Sequence, residues 1–141
     1  MRLDEALLDL AAEQRSCVAD WQVRQLGASN TEVTRLKSSP RWDLVGDHVL
    51  VSAGAVHDER LMASAAVLNA GPGAALSHEA VSALWGVPGF SLVPPVASQQ
   101  AGHAWRRSTL GPVHDLVLVP ERWITRLEGI RVVRPELAMY Q

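Results

Sequence analysis

Leu3, Ala6, Leu7, Leu10 and Ala11 recur at the spacing of one helical face, which predicts an amphipathic helix over residues 3–15. Asp4 and Glu5 open it and Arg15 closes it, the polarity that a helix dipole favours. Val18, Val23 and Leu26 supply the apolar side of a second, shorter helix from Asp20 to Leu26, with Gly27 as its C-cap. A third helix follows at once. Ser29 and Glu32 form an S-x-x-E capping box, Val33 and Leu36 are its buried side, and Ser38-Ser39-Pro40 end it. The pattern then changes from helical to alternating. WDLVGDHVLVS (42–52) reads as two short strands about a turn at Gly46-Asp47, with Leu44 or Val45, Val49 and Val51 as the apolar positions.

Helix, helix, tight turn, helix and hairpin is the order of a winged helix-turn-helix, and only Ala28 separates Gly27 from the cap of the third helix. SAGAV (52–56) is a small-residue joint. Beyond it the pattern predicts an alanine-rich helix over 57–70, with Leu61, Ala65, Leu68 and Met62 inward, ended by Gly71-Pro72-Gly73. Ser77 caps a helix from His78 to Trp85, whose Val81, Leu84 and Trp85 are core; Gly86, Pro88 and Gly89 end it. Residues 91–104, with Pro94-Pro95 and Ser98-Gln99-Gln100, read as a loop, and VHDLVLVP (113–120) and IRVV (130–133) as strands. The fold expected is therefore α+β: a winged helix-turn-helix domain over residues 1–53 and a small α+β domain over 57–141.

Composition narrows the function classes. Of 141 residues, 48% are hydrophobic and 20% charged, an ordinary globular balance without a disorder signature. Cys17 is the single cysteine, which leaves no internal disulfide or multi-thiolate zinc site and suits a reducing cytoplasm; its expected role is to fill core. The first residues carry Asp4, Glu5 and Asp9 where a secretory signal needs a basic start, and no apolar run has the length of a membrane span. A cytoplasmic protein without membrane attachment is expected. Arginine is used almost to the exclusion of Lys37, the habit of a GC-rich bacterial genome.

Enzymatic readings find no motif. The glycines of AVLNAGPGAALSHEAVSALWGV (66–87) form neither dinucleotide nor P-loop spacing, and no basic residue lies between Arg60 and Arg106 to meet a phosphate. Ser77 and His78 are adjacent on one helix and point apart, so they do not make a nucleophile–base pair. His48, His57, His78, His103 and His114 show no metal-ligand spacing. A PD-(D/E)xK nuclease is approached by Asp115 and Glu121, but Arg122-Trp123 follow and the lysine is missing. No catalytic residue, metal or cofactor is expected.

Charge, taken by segment, points elsewhere. The chain has a net charge of −2, yet Arg24, Arg35, Lys37 and Arg41 face only Glu32 between Gln22 and Arg41. That basic stretch covers the third helix and its exit, where a winged helix meets DNA. Asn30, Thr31, Thr34 and Arg35 are the residues its outer face would offer to base edges, with Arg24, Lys37 and Arg41 on the backbone. A second basic group, Arg106-Arg107, Arg122, Arg126, Arg131 and Arg134, reads as surface that could touch flanking phosphates or a protein partner.

RLMASAAVLNAGPGAALSHEAVSALWGV (60–87) resembles the signature of the AbiEi-type antitoxin family, abundant in actinobacteria: G-P-G-A-x-L-S-H and then a helix ending A-L-W-G. LEGIRVVRPELAMY (127–140) is similar to the family's G-I-x-V-T-x-P-x-x-T-L-L-D segment. The resemblance implies a transcriptional autorepressor that binds operator repeats before its own operon and counters a nucleotidyltransferase toxin without a stable complex. Many relatives continue into an endonuclease-like domain. This chain departs from the pattern at Thr31, Glu32 and Thr34, where relatives carry arginines, and at Gly46-Asp47-His48-Val49, where they carry R-G-V-Y. Asp47 at a wing tip repels phosphate, which lowers the expected affinity for DNA. The family's threonine is absent from Val132-Val133-Arg134, and the chain ends at Gln141 inside a helix of its relatives, so a truncated member or a fragment is expected. Double-stranded operator DNA is the expected partner, with a homodimer or a protein partner beside it. The alternative is a protein-interaction module on a winged-helix scaffold, with an exposed apolar patch of Trp105, Val113 and Trp123 as its mark.

Overall fold

Helix α1 (Leu3–Glu13) buries Leu7 and Ala11 from the stripe and stops two residues before its predicted end. Arg15 and Ser16 take left-handed φ values of 59° and 69°, which reverse the chain into strand β1 (Cys17–Ala19). Helix α2 (Asp20–Gln25), helix α3 (Asn30–Lys37) and strands β2 (Trp42–Val45) and β3 (Val49–Ser52) follow at the predicted places. In the computed structural model, which describes residues 3–100, 110, 113–116 and 124–134, the chain is a mixed α+β protein with helices and two small sheets.

The first sheet is antiparallel in the order β1-β3-β2, with Cys17 opposite Val51 and Trp42 opposite Ser52. Val18 and Leu50 face one way, onto Leu7, Val23 and Val33 of the first three helices. Cys17, Ala19, Val49 and Val51 face the other, onto helix α4 (Glu59–Asn69). Both faces of β1 and β3 are covered, so neither strand shows polar alternation. That is why β1 escapes a period-2 reading, and why Val18, expected as a contact of the second helix, belongs to a strand. Of the other two contacts expected there, Val23 is buried and Leu26 is exposed.

Strands β4 (Ala75–Leu76), β5 (Ala97–Gln100), β6 (Val113–Leu116), β7 (Ile124–Leu127) and β8 (Ile130–Val133), with helix α5 (His78–Leu84), make up the rest. The second sheet runs β6-β5-β4-β8-β7. Its second strand corrects the loop expected at 91–104: β5 is antiparallel to β4 and parallel to β6, with Ala97 and Ser98 buried. Trp85, expected in the core, is 41% exposed at the end of α5. Ser77 holds the N-cap position of α5 without capping, because its hydroxyl pairs with that of Ser98. Residues 117–120 of the predicted strand 113–120, and the side chain of His78, lie outside the described residues.

Helix α4 lies between the sheets. Leu61, Ala65 and Leu68 pack on the first, while Ala63, Val67 and Ala70 at its C-cap join Leu76, Ile130 and Val132 of the second. Asp58 caps it, accepting from the Leu61 amide at 2.8 Å. A further bond links the two halves where the Arg15 guanidinium donates to the Glu128 carbonyl at 3.2 Å. Gly129, in the β7–β8 turn, has φ of 80°, and a Cβ there would stand 2.6 Å from the Glu13 carbonyl oxygen.

Ala65→Leu is expected to overpack the first sheet and cost about 1–3 kcal/mol. Urea unfolding followed by tryptophan fluorescence and by circular dichroism is expected to show one coincident transition, lowered in the variant. Two separated transitions in the wild type would mean that the sheets unfold independently.

Candidate nucleic-acid interface

The corner between α2 and α3 is built from its caps. Gly27, with φ of 102°, follows the C-cap Leu26. The Ser29 hydroxyl accepts from the Glu32 amide at 3.2 Å, and the Glu32 carboxylate accepts from the Ser29 amide at 3.1 Å. The reciprocal pair satisfies donors that a helix start leaves open and fixes the direction in which α3 leaves the turn. Val33 then faces the core, and Asn30, Thr31, Thr34 and Arg35 are exposed.

The predicted residues divide by what holds them. Arg24 is exposed and donates from Nε to Asn30 Oδ1 at 3.1 Å, tying α2 to the first turn of α3. The Thr34 hydroxyl donates back to the Asn30 carbonyl at 3.0 Å. Arg35 and Arg41 form no ion pair among the described residues, and both residues border a groove between α1, α3 and β2. Lys37 is drawn away from this exposed set. Its ammonium donates to Asp20 Oδ2 at 2.9 Å and to the Asp47 carbonyl at 3.3 Å.

Asp20 is the group that spacing did not reveal. It is 2% exposed, yet meets Lys37 and His48 Nδ1 each at 2.9 Å, with an Arg24 guanidinium nitrogen 3.7 Å from its other oxygen. Burial raises its pKa. The hydrogen bonds and charge of His48 and Lys37 outweigh that and hold the carboxyl below its ordinary value. One carboxylate thus joins α2, the end of α3 and the turn between β2 and β3.

That turn is held from its other side as well. The Asn69 side-chain oxygen Oδ1 accepts from the Asp47 amide at 3.2 Å and from the His48 amide at 3.0 Å. Gly46 carries φ of 65°, and a Cβ on it would come within 2.9 Å of the same oxygen. The end of α4 therefore seats the hairpin turn, and Asp47 lies beside Lys37 and Asn69.

Cys17 fills core, as expected: burial pushes its thiol up to about 12, so it stays protonated at neutral pH. Among the described residues no three His, Cys, Asp or Glu side chains are grouped to hold a metal ion, and no helix is long and apolar enough to cross a membrane. Of the second basic group, Arg106, Arg107 and Arg122 lie outside the described residues, as do Trp105 and Trp123; Arg131 donates to the Ala74 carbonyl at 3.2 Å. No family model matches the chain, and no curated protein matches it significantly.

Asp20→Asn is expected to destabilise by about 1–3 kcal/mol at neutral pH, since Lys37 and His48 lose an ionised partner. A carboxyl whose folded pKa is depressed stabilises fully above its unfolded value of about 3.9 and loses that contribution as pH falls through the folded value. The gap between wild type and variant, measured by urea unfolding, is expected to hold from pH 7 to 5 and to narrow below about pH 4. A gap independent of pH down to 2.5 would remove Asp20 from this role.

Proposed function

We propose that the chain is a non-catalytic, DNA-binding transcriptional regulator whose first 53 residues act as a winged helix, with α3 in the major groove. The observation that carries this reading is the outer face of α3: Asn30, Thr31, Thr34 and Arg35 are exposed together on a helix whose entry is locked by a reciprocal cap. The element order, and a three-stranded sheet in the order β1-β3-β2, support it because they are those of a winged helix. Arg35 reads base edges, and Arg24 and Arg41 hold phosphates. Lys37 acts by fixing the end of α3 on Asp20. The hairpin turn, seated on Asn69, contributes little to binding, and recognition rests on α3. By its resemblance to AbiEi-type antitoxins, the target is an operator before its own operon.

A second reading has one observation in its favour. Trp85, Val87, Phe90 and Val93, all exposed, lie within nine residues after α5, an apolar stretch suited to a protein partner. On that reading the first half is scaffold, or the chain is the non-catalytic part of a longer protein with an endonuclease-like domain.

Binding to the DNA upstream of the native gene, beside a scrambled duplex at two salt concentrations, separates the readings. The native duplex is expected to bind more tightly. Arg41→Ala is expected to lower the salt slope by about 1 without altering sequence preference, whereas Arg35→Ala relaxes that preference. Failure to bind either duplex at low salt would sink the DNA reading and favour the protein partner.

A further inference from the structure

We propose that the groove between α1, α3 and β2 binds an apolar monoanion, an aromatic or medium-chain carboxylate, and that its occupation withdraws Arg35 and Arg41 from DNA. The second clause rests on the DNA-binding reading above; the first does not.

The groove encloses about 450 Å³, within the ordinary range for a small-molecule site. Its floor is apolar and rigid, because Leu7 and Trp42 are themselves packed into the core that carries α3 and Leu36 rests against the same cluster. Leu8, 59% exposed, stands at the lip as apolar surface that a ligand would cover. Arg35, in the last turn of α3, and Arg41, just before β2, line the same cavity. Neither forms an ion pair among the described residues, so two cationic side chains with no counterion border the groove, and guanidinium is the group best suited to receive a carboxylate. Asp4 lines the groove too. It leaves a single net positive charge and disfavours a dianion such as a phosphate monoester. An apolar body on Leu7, Leu36 and Trp42 with one carboxylate for the arginines matches the apolar floor and the net charge of the groove.

The site and the proposed interface share their two cations. A bound carboxylate neutralises Arg35, which reads bases, and Arg41, which holds backbone. Ligand and DNA therefore oppose each other, and by linkage each weakens the other by the same factor.

The full chain, labelled with nitrogen-15, would be titrated in the absence of DNA with sodium octanoate and sodium benzoate, beside octanamide and benzamide. Saturable shifts are expected at the Trp42 indole, assigned through Trp42→Phe, and at the amides of residues 7–8 and 35–42. The neutral amides are expected to bind at least 10-fold more weakly. Arg35→Gln with Arg41→Gln, and separately Leu8→Glu, should each reduce carboxylate binding at least 10-fold with the melting temperature kept. No saturable shift, equal binding of the amides, or shifts elsewhere would overturn the site. In a second arm, saturating octanoate is expected to weaken operator binding at least 10-fold in the wild type and not in Leu8→Glu. An operator that binds equally with octanoate present would overturn the coupling. Octanoate bound at the groove, with no DNA bound in its absence, would leave the site standing and remove the DNA reading instead.

Discussion

Beyond its first turn, α4 has a β-sheet against each side and little face left for water, and its composition follows from that. Leu61 and the run from Ala63 to Asn69 are all buried. Small side chains at Ala63, Ser64, Ala65 and Ala66 let both sheets close on it, since interiors are packed too densely to absorb added bulk. Its buried polar side chains are engaged: the Ser64 hydroxyl donates to the Gln14 carbonyl at 2.9 Å, and Asn69 turns to the β2–β3 hairpin. The position of the hairpin, and through His48 and Asp20 that of α3, is inherited from this helix.

Local signals made the α2–α3 corner legible. A capping box, a C-cap glycine and a helical stripe act over three or four residues, and the sequence carries them intact in Ser29, Glu32, Gly27, Val33 and Leu36. Pairing between distant segments left no such trace. β1 has three residues, all buried, and β4 has two, so neither is long enough to show a period. β5 carries Ser98 and Gln99-Gln100 behind two prolines, and becomes a strand because β4 and β6 flank it. β7 and β8 meet at Glu128-Gly129, where both φ values are positive; glutamate is an uncommon residue for that place.

The candidate site shows the same division. Exposure of Asn30, Thr31, Thr34 and Arg35 follows from the position of Val33 on a helix, and could be read in advance. The diversion of Lys37 could not, because Asp20 lies 17 residues from Lys37 and 28 from its other partner, His48. Counting charge along the chain placed Lys37 with the free cations. A buried carboxylate instead takes it as a counterion, since a charge out of water must be paired. A local charge sum thus overstates what the surface can present to a polyanion.

The burial of α4 also bears on how such a protein could change over generations. Residues 52–56 look like a joint at which a gene could be cut and fused to another. A cut there would part Cys17, Ala19, Val49 and Val51 from the helix that covers them and leave the hairpin turn without Asn69. A fused gene that keeps the first sheet covered therefore has to carry Leu61, Ala65 and Leu68 along with it.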